Sequence, residues 1–523
     1  MEHSYKSNSG DSTKPGPCSG DPTIPGSRCG DSTKPGSPLD PEIGDTKLGP
    51  EKFTLVDWEG PNDPTKPVNW SFTRKWSIVV TTSLCTFMVS FGSSVYSAAI
   101  SQVQQQLHVS ATTARLGISL CVLGFAFGPL IWGPASELYG KTRPLWIGYF
   151  GFCLCQIPCA LSTDIYMLLV FRLLAGLAGS AMLAILGGMY VDILLHPTER
   201  GISTAIFSLG TFCGPAAGPI IGNLLTVKLN WRWTAWITFI GSLVFGALAF
   251  SVTGETSEAV ILRWKTQRLY KDAQNDQIRA QIKDSNPNLS IFVRKYLTKP
   301  VKMFFWEPIL VFFTAYMSLV YGIIYLTFTL YPIAFVGYRG WDPIKGSLPF
   351  LGILLGVILA CVQLAFHSIC YVGPKFAQTQ HHVAERRLPP MILGSFLLPA
   401  GYKLGIFWFS WTSDPHFSWV PQVLSGVFIG CGSILVFMSG VVYLIEVYLA
   451  HSNSALAVNN LVRSAFAASF PLFTIELLIK SGIRVGGSIL GGICVALIPF
   501  PLIFWALGHR IRDWSKFAVY ESK

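Results

Sequence analysis

Twelve long apolar runs occupy the sequence from Trp76 onward, and they restrict the chain to architectures that hide every backbone polar group from lipid. A membrane helix needs roughly 20 apolar residues. Runs of about that length cover 76–98, 114–136, 145–162, 165–192, 202–225, 233–253, 308–336, 346–371, 389–411, 418–444, 455–479 and 486–508. One long break, 254–306, divides them six and six. Period-two alternation over ten-residue stretches, the mark of a membrane barrel, is absent. The expectation is an all-α bundle of twelve transmembrane helices in two six-helix halves, 71–253 and 307–510, joined by a cytosolic central loop at 254–306. Charged residues make up only 13% of the chain, against about 25% in soluble domains. That balance argues against an ordinary soluble enzyme.

The first 70 residues read differently. GDSTKPG at 10–16 returns as GDPTIPG at 20–26 and as GDSTKPG at 30–36. A ten-residue repeat built on Pro-Gly turns buries no core, so 1–70 is expected to be a disordered cytosolic tail. No basic segment followed by a short apolar one opens the chain, so the first span is expected to act as its own insertion signal. Residues 511–523 form a second, short cytosolic tail.

The formal charge of +11 invites a nucleic-acid reading, but its distribution refutes one. Beyond residue 75 lie 30 Lys and Arg. With the tail inside, 20 of them fall on the cytosolic side, ten of those in the central loop, and seven fall outside. This is the positive-inside pattern, and it places both termini in the cytosol. The sequons at Asn69 and Asn288 then face the cytosol and stay unmodified. The twelve cysteines show no metal spacing, and no structural disulfide is expected. Adjacent His381 and His382 read as loop residues rather than metal ligands, so neither a metal nor a cofactor is expected. Three basic residues remain inside the spans: Arg172, Lys403 and Arg463.

Between the second and third runs stands Gly133-Pro-Ala-Ser-Glu137-Leu-Tyr-Gly140-Lys141-Thr-Arg143-Pro144. Taken alone it is a tight, positive-inside hairpin. Its order of glycine, acid, glycine and paired bases resembles the loop signature of the major facilitator superfamily, in the form of the fungal drug:proton antiporter branch. The resemblance implies that Gly133, Glu137, Gly140, Lys141 and Arg143 form a cytosolic latch. In the fourth run Arg172, followed by Gly176 and Gly179, resembles the superfamily's Arg pattern and implies a role in proton coupling. Ala175 stands where Gln is common, which removes a hydrogen-bonding partner of the arginine. An arginine at that depth costs about 2.5–3.5 kcal/mol on insertion scales, so it must face a cavity or a partner. Its alternative reading is an arginine bonded to backbone carbonyls.

The fifth run is the most specific. Gly210, Gly214, Gly218 and Gly222 recur every four residues, with Pro215 and Pro219 between them. Small residues at that spacing allow close helix approach, and the prolines interrupt the backbone ladder. Together the string is similar to the superfamily's antiporter motif, which implies export. Further fragments resembling the same branch run from about 70 to 510, including Trp231-Arg-Trp233 and Glu385-Arg-Arg-Leu-Pro-Pro390. Lys403 departs from the pattern, as a local bulge or an unusual cavity residue.

No Asp or Glu lies at mid-depth of any span; Asp192, Glu307, Glu446 and Glu476 fall near ends. A cationic cargo would lack a carboxylate to offset its desolvation. The expected cargo is therefore a neutral or weakly acidic, partly apolar organic molecule. Tyr96, Tyr321, Tyr325, Tyr331, Asn459, Asn460 and Arg463 are candidate cavity residues, each with plain packing as its alternative. The expectation is a monomeric carrier in the plasma membrane, or alternatively the vacuolar membrane, driven by the proton gradient. Its partners are the lipid bilayer, protons and a small organic substrate, and not nucleic acid. The rival is an uptake or facilitative carrier of the same fold. A membrane enzyme would need converging His, Asp, Glu or Ser groups within the spans, which the sequence lacks.

Overall fold

The computed structural model describes residues 58–272, 298–379, 383–399, 405–448, 452–513 and 515. The tail repeat, Asn288, His381, His382 and Lys403 lie outside these residues. Among the described residues the chain is helical with no strand, and ten helices are long and apolar enough to cross a bilayer.

In the first half these are α1 (Phe72–Ser94), α2 (Ala111–Tyr139), α3 (Thr142–Leu161), α4 (Ile165–Ile193), α5 (Pro197–Lys228) and α6 (Trp233–Val252). After it come α7 (Glu258–Asp272) and α8 (Lys299–Trp306), both within the break predicted at 254–306. The second half holds α9 (Pro308–Tyr331), α10 (Phe350–His367), α11 (Pro389–Leu397), α12 (Gly405–Trp411), α13 (Trp419–Val447), α14 (Ser452–Ala496) and α15 (Pro499–Arg512). The ninth apolar run is thus divided between two short helices, α11 and α12. The eleventh lies in the first part of α14, which leaves helical geometry at Gly482 (φ 76°, ψ 158°).

Polar residues set the ends. Ser71 Oγ accepts the amide of Arg74 and starts α1, and Ser110 Oγ accepts that of Thr113 at 3.1 Å and starts α2. Pro197 and Pro308 open α5 and α9, where a missing N–H costs nothing. Buried hydroxyls along α1 return to the helix's own carbonyls. Thr82 donates to Ile78 O at 2.5 Å and Thr86 to Thr82 O at 3.0 Å, so polar side chains are tolerated where water is absent.

The glycine stripe of α5 is a packing surface. A methyl group on Gly210 would lie 2.3 Å from Ser83 O, on Gly214 2.6 Å from Phe87 O, and on Gly222 2.7 Å from Val95 O. Each contact is to the backbone of α1 or its short continuation, so α1 and α5 approach as closely as their main chains permit. Pro215 and Pro219 lie within α5, which continues unbroken through both.

Residues 58–70, which the sequence assigns to the tail, form hydrogen-bonded turns. Asp63 accepts the amide of Thr65 at 2.9 Å, its hydroxyl at 2.6 Å and the amide of Glu59 at 3.2 Å. These bonds hold its carboxyl below the usual range, at about 2. Lys265 of α7 reaches Glu59 at 2.8 Å and Asp63 at 3.5 Å. Local bonds make the turns, and Lys265, some 200 residues away in sequence, pairs with their acidic groups.

Candidate functional site

The residues expected to form a latch lie at the end of α2 and the start of α3. Gly140 has φ +89°, a conformation costly for other residues. A methyl group there would lie 2.4 Å from Glu255 Oε2. Glu255 accepts the backbone amides of Lys141 (2.9 Å) and Thr142 (3.2 Å), and those of Thr256 and Ser257 next to it. The Lys141 ammonium donates to Asp192 Oδ2 at 2.5 Å and to Gly188 O at 2.7 Å, joining the loop to α4. Arg143 lies over the Trp264 ring of α7 at 5.0 Å. Gly133 has open space around it, and Glu137 is exposed at the end of α2. Glu255 was missed by sequence reasoning: it lies 114 residues from Lys141 in no periodic relation to it, and its only signal was an acid just after an apolar run.

The second half has a counterpart at its own helix ends. Arg387 donates to Glu446 at 2.8 Å, and Arg512 pairs with Glu385 at 3.0 Å. On this face the halves touch closely: a methyl on Gly201, at the start of α5, would lie 2.2 Å from Ser368 Oγ.

Deeper in the bundle, Arg172 is 4% exposed and donates to three backbone carbonyls. Its Nε reaches Gly117 O at 3.0 Å, Nη1 reaches Gly92 O at 2.7 Å, and Nη2 reaches Ser93 O at 3.0 Å. Its guanidinium also lies 4.7 Å from the Tyr96 ring, and the Tyr96 hydroxyl donates to Ala114 O at 3.0 Å. The bonding is that of the carbonyl-bound alternative. It ties α4 to α1 and α2.

A thread of polar groups leads from there into the second half. Ser93 Oγ lies 3.4 Å from the Tyr325 hydroxyl, which lies 3.5 Å from that of Tyr321. The Tyr321 ring is 4.6 Å from the Arg463 guanidinium, and the Phe437 ring is 4.5 Å from it. Arg463 also donates to Asn460 Oδ1. Asn460 Nδ2 crosses between the halves to Phe125 O on α2 at 2.8 Å, and Asn459 Nδ2 donates to Thr314 Oγ1 on α9 at 3.1 Å. Phe212 of α5 closes the cluster, 5.2 Å from Phe437.

Tyr321, Tyr325, Asn460 and Arg463 therefore converge where the halves meet, and Tyr96 stands with Arg172 at the other end of the thread; Asn459 turns instead to Thr314 and Met317 within the second half. Tyr331 does not join them. It packs against Phe350 and Phe409 at 4.7 and 5.0 Å within the second half. Two cavities flank the thread, one beside Tyr96, Arg172 and Trp231, the other beside Phe212, Phe328 and Ile353. Each is about 10 Å³, room for about one water molecule. Neither admits an organic molecule in this conformation.

Residues 82–471 match the model of the Major Facilitator Superfamily. The chain belongs to this family. A citrinin biosynthesis cluster MFS transporter from Monascus ruber is 44% identical over 466 residues, covering 89% of this chain and 92% of that one. The cercosporin MFS transporter of Cercospora nicotianae is 36% identical over 464 residues, covering 88% and 89%. A solved major facilitator proton:xylose symporter, bound to 6-bromo-6-deoxy-D-glucose, shares the fold with a TM-score of 0.57 at 14% identity, covering 84% of this chain and 96% of its own. As a facilitator-family member the chain is a multi-pass membrane transporter of small molecules and not an enzyme.

Proposed function

We propose that this facilitator is a proton-coupled exporter of small, partly apolar organic molecules, working by alternating access, with twelve spans and both termini in the cytosol. The observation that carries the reading is the convergence of Tyr321, Tyr325, Asn460 and Arg463 between the halves, with Asn460 bonded across the junction. A transporter with its polar and aromatic side chains at that junction exposes them in turn as the halves rock. The relatives from citrinin biosynthesis clusters and the cercosporin transporter support secondary metabolites as the cargo class, and drugs or other xenobiotics of like chemistry belong to the same proposal.

In this reading Lys141, Arg143, Glu137 and the glycines around them form the cytosolic latch, and Arg172 serves coupling by holding α1 at Gly92 and Ser93. Asp192 and Glu446, ion-paired at the latch face, are the candidate proton carriers. One entering proton supplies about 2.3 kcal/mol per 100 mV of membrane potential. The carrier acts as a monomer in the plasma membrane and needs no cofactor. Export is supported by the antiporter-like string from Gly210 to Gly222.

The test is growth of an efflux-deficient yeast strain with and without the gene on a panel of toxic organic compounds. Export gives resistance with lowered intracellular compound, reversed by a protonophore. An uptake or facilitative carrier, the alternative reading, gives unchanged or raised intracellular compound.

A further inference from the structure

Arg172 and Arg463, the two described arginines buried within apolar runs, are not equivalent. Arg172 directs its three nitrogens at three carbonyls. Arg463 is 8% exposed, and its only hydrogen bond among the described residues runs from Nη2 to Asn460 Oδ1; its buried Nε has no partner. What else faces it is the pair of rings of Tyr321 and Phe437. The sequence places no carboxylate at mid-depth of any span.

Aromatic faces attract a cation through their quadrupole, but they leave its N–H donors unsatisfied. A buried guanidinium needs acceptors on its N–H groups, as carbonyls supply them to Arg172, and the strongest acceptor is an anion: a carboxylate meets its edge with two parallel hydrogen bonds. The position suits a recognition group. Arg463 lies on α14, its rings lie on α9 and α13, and its Asn460 partner is held by the carbonyl of Phe125 on α2, in the other half. In the alternating-access reading above, that bond is one the halves break as they separate, which frees Asn460 together with the arginine.

We propose that Arg463 is the binding site for a carboxylate on the cargo, so that this carrier selects organic acids over their neutral esters. The carboxylate accepts from Nε and the adjacent Nη, and the apolar body of the acid lies against Tyr321, Phe437 and Phe212. The inference rests on the transport reading above for the location of the cargo, and it narrows the substrate class.

The experiment uses the full-length protein purified in detergent at pH 7.5. Binding of 9-anthracenecarboxylic acid and of its methyl ester is measured by fluorescence polarisation. The acid is expected to bind at least tenfold more tightly than the ester. Arg463→Gln is expected to bring the two within threefold by weakening the acid alone, and Arg463→Lys to retain part of the preference. Equal affinity for acid and ester on the native chain, including no binding of either, overturns the proposal. So does a preference that survives Arg463→Gln intact. The native comparison needs no variant, and Arg463→Lys carries the substitution test if the glutamine variant fails to fold. Displacement of the acid by millimolar inorganic phosphate would mark a site for small inorganic anions and also overturn it. Micelles hold no gradient, so a carrier that imports, or that moves cargo without protons, gives the same acid preference. Failure of the transport reading and failure of this site are therefore read separately.

Discussion

Replacing Arg172 with alanine separates two accounts of the same residue. If it acts as a charge in proton coupling alone, the alanine variant inserts and folds normally and only transport is lost. The geometry predicts a larger effect. Three charge-assisted bonds of 2.7–3.0 Å run from this side chain to Gly92, Ser93 and Gly117, and none of these groups is open to water. A hydrogen bond of this kind contributes about 0.5–1.5 kcal/mol net. At the middle of that range the three bonds sum to about 3 kcal/mol, a factor of roughly a hundred in a folding equilibrium. The cavity left by the side chain adds to this. Arg172→Ala is therefore expected to lower the thermal midpoint of the detergent-purified protein, followed by fluorescence-detected size exclusion, and to reduce its yield from membranes. Arg172→Lys keeps the charge but replaces a planar fork with a point donor; it should fall between the two. A purified Arg172→Ala protein with the native thermal midpoint would refute the claim that these bonds hold α1, α2 and α4 together.

The α1–α5 contact gives a paired test: Gly214→Ala puts a methyl 2.6 Å from a backbone oxygen, whereas Gly187 has nothing within 4 Å. Overpacking of this kind costs about 1–3 kcal/mol, so the first variant should melt earlier and the second should match the native chain; equal melting would contradict the packing account. Glu255→Gln leaves one acceptor oxygen for four amides and is expected to destabilise the α2–α3 turn by about 1–3 kcal/mol, seen as faster hydrogen exchange at Lys141 and Thr142. For the 58–70 turns the sign follows from Asp63. Its folded-state value of about 2 lies below the ordinary aspartate value of 3.8, so its contribution is complete above about 4 and is lost only as pH falls toward 2. Exchange in this segment, corrected for intrinsic rates, should be the same at pH 5 and pH 8 and should rise at both after Asp63→Asn.

The helices were legible because lipid demands long apolar stretches, and the α5 stripe was legible because helix contact repeats every four residues. Helix starts were less so. The first run begins at Trp76, but α1 begins at Phe72, because Arg74 and Lys75 belong to a polar first turn that hydropathy does not register. Lys141 was marked by local spacing, whereas its anchors Glu255 and Asp192 are long-range partners with no pattern of their own. Tyr331 and Tyr321 look alike in sequence, both aromatic and ten residues apart on one helix. Only the packing shows that one faces the second-half core and the other faces Arg463. The carbonyl partners of Arg172 were equally hidden, since a backbone acceptor leaves no side-chain signature.

The central claim, export driven by protons, is tested most directly in inside-out membrane vesicles carrying the full-length chain and an imposed pH gradient, acidic inside. The account predicts that a transported organic compound accumulates inside, and that a protonophore abolishes the accumulation. Accumulation that ignores the pH gradient, or that occurs only in right-side-out vesicles, would contradict it.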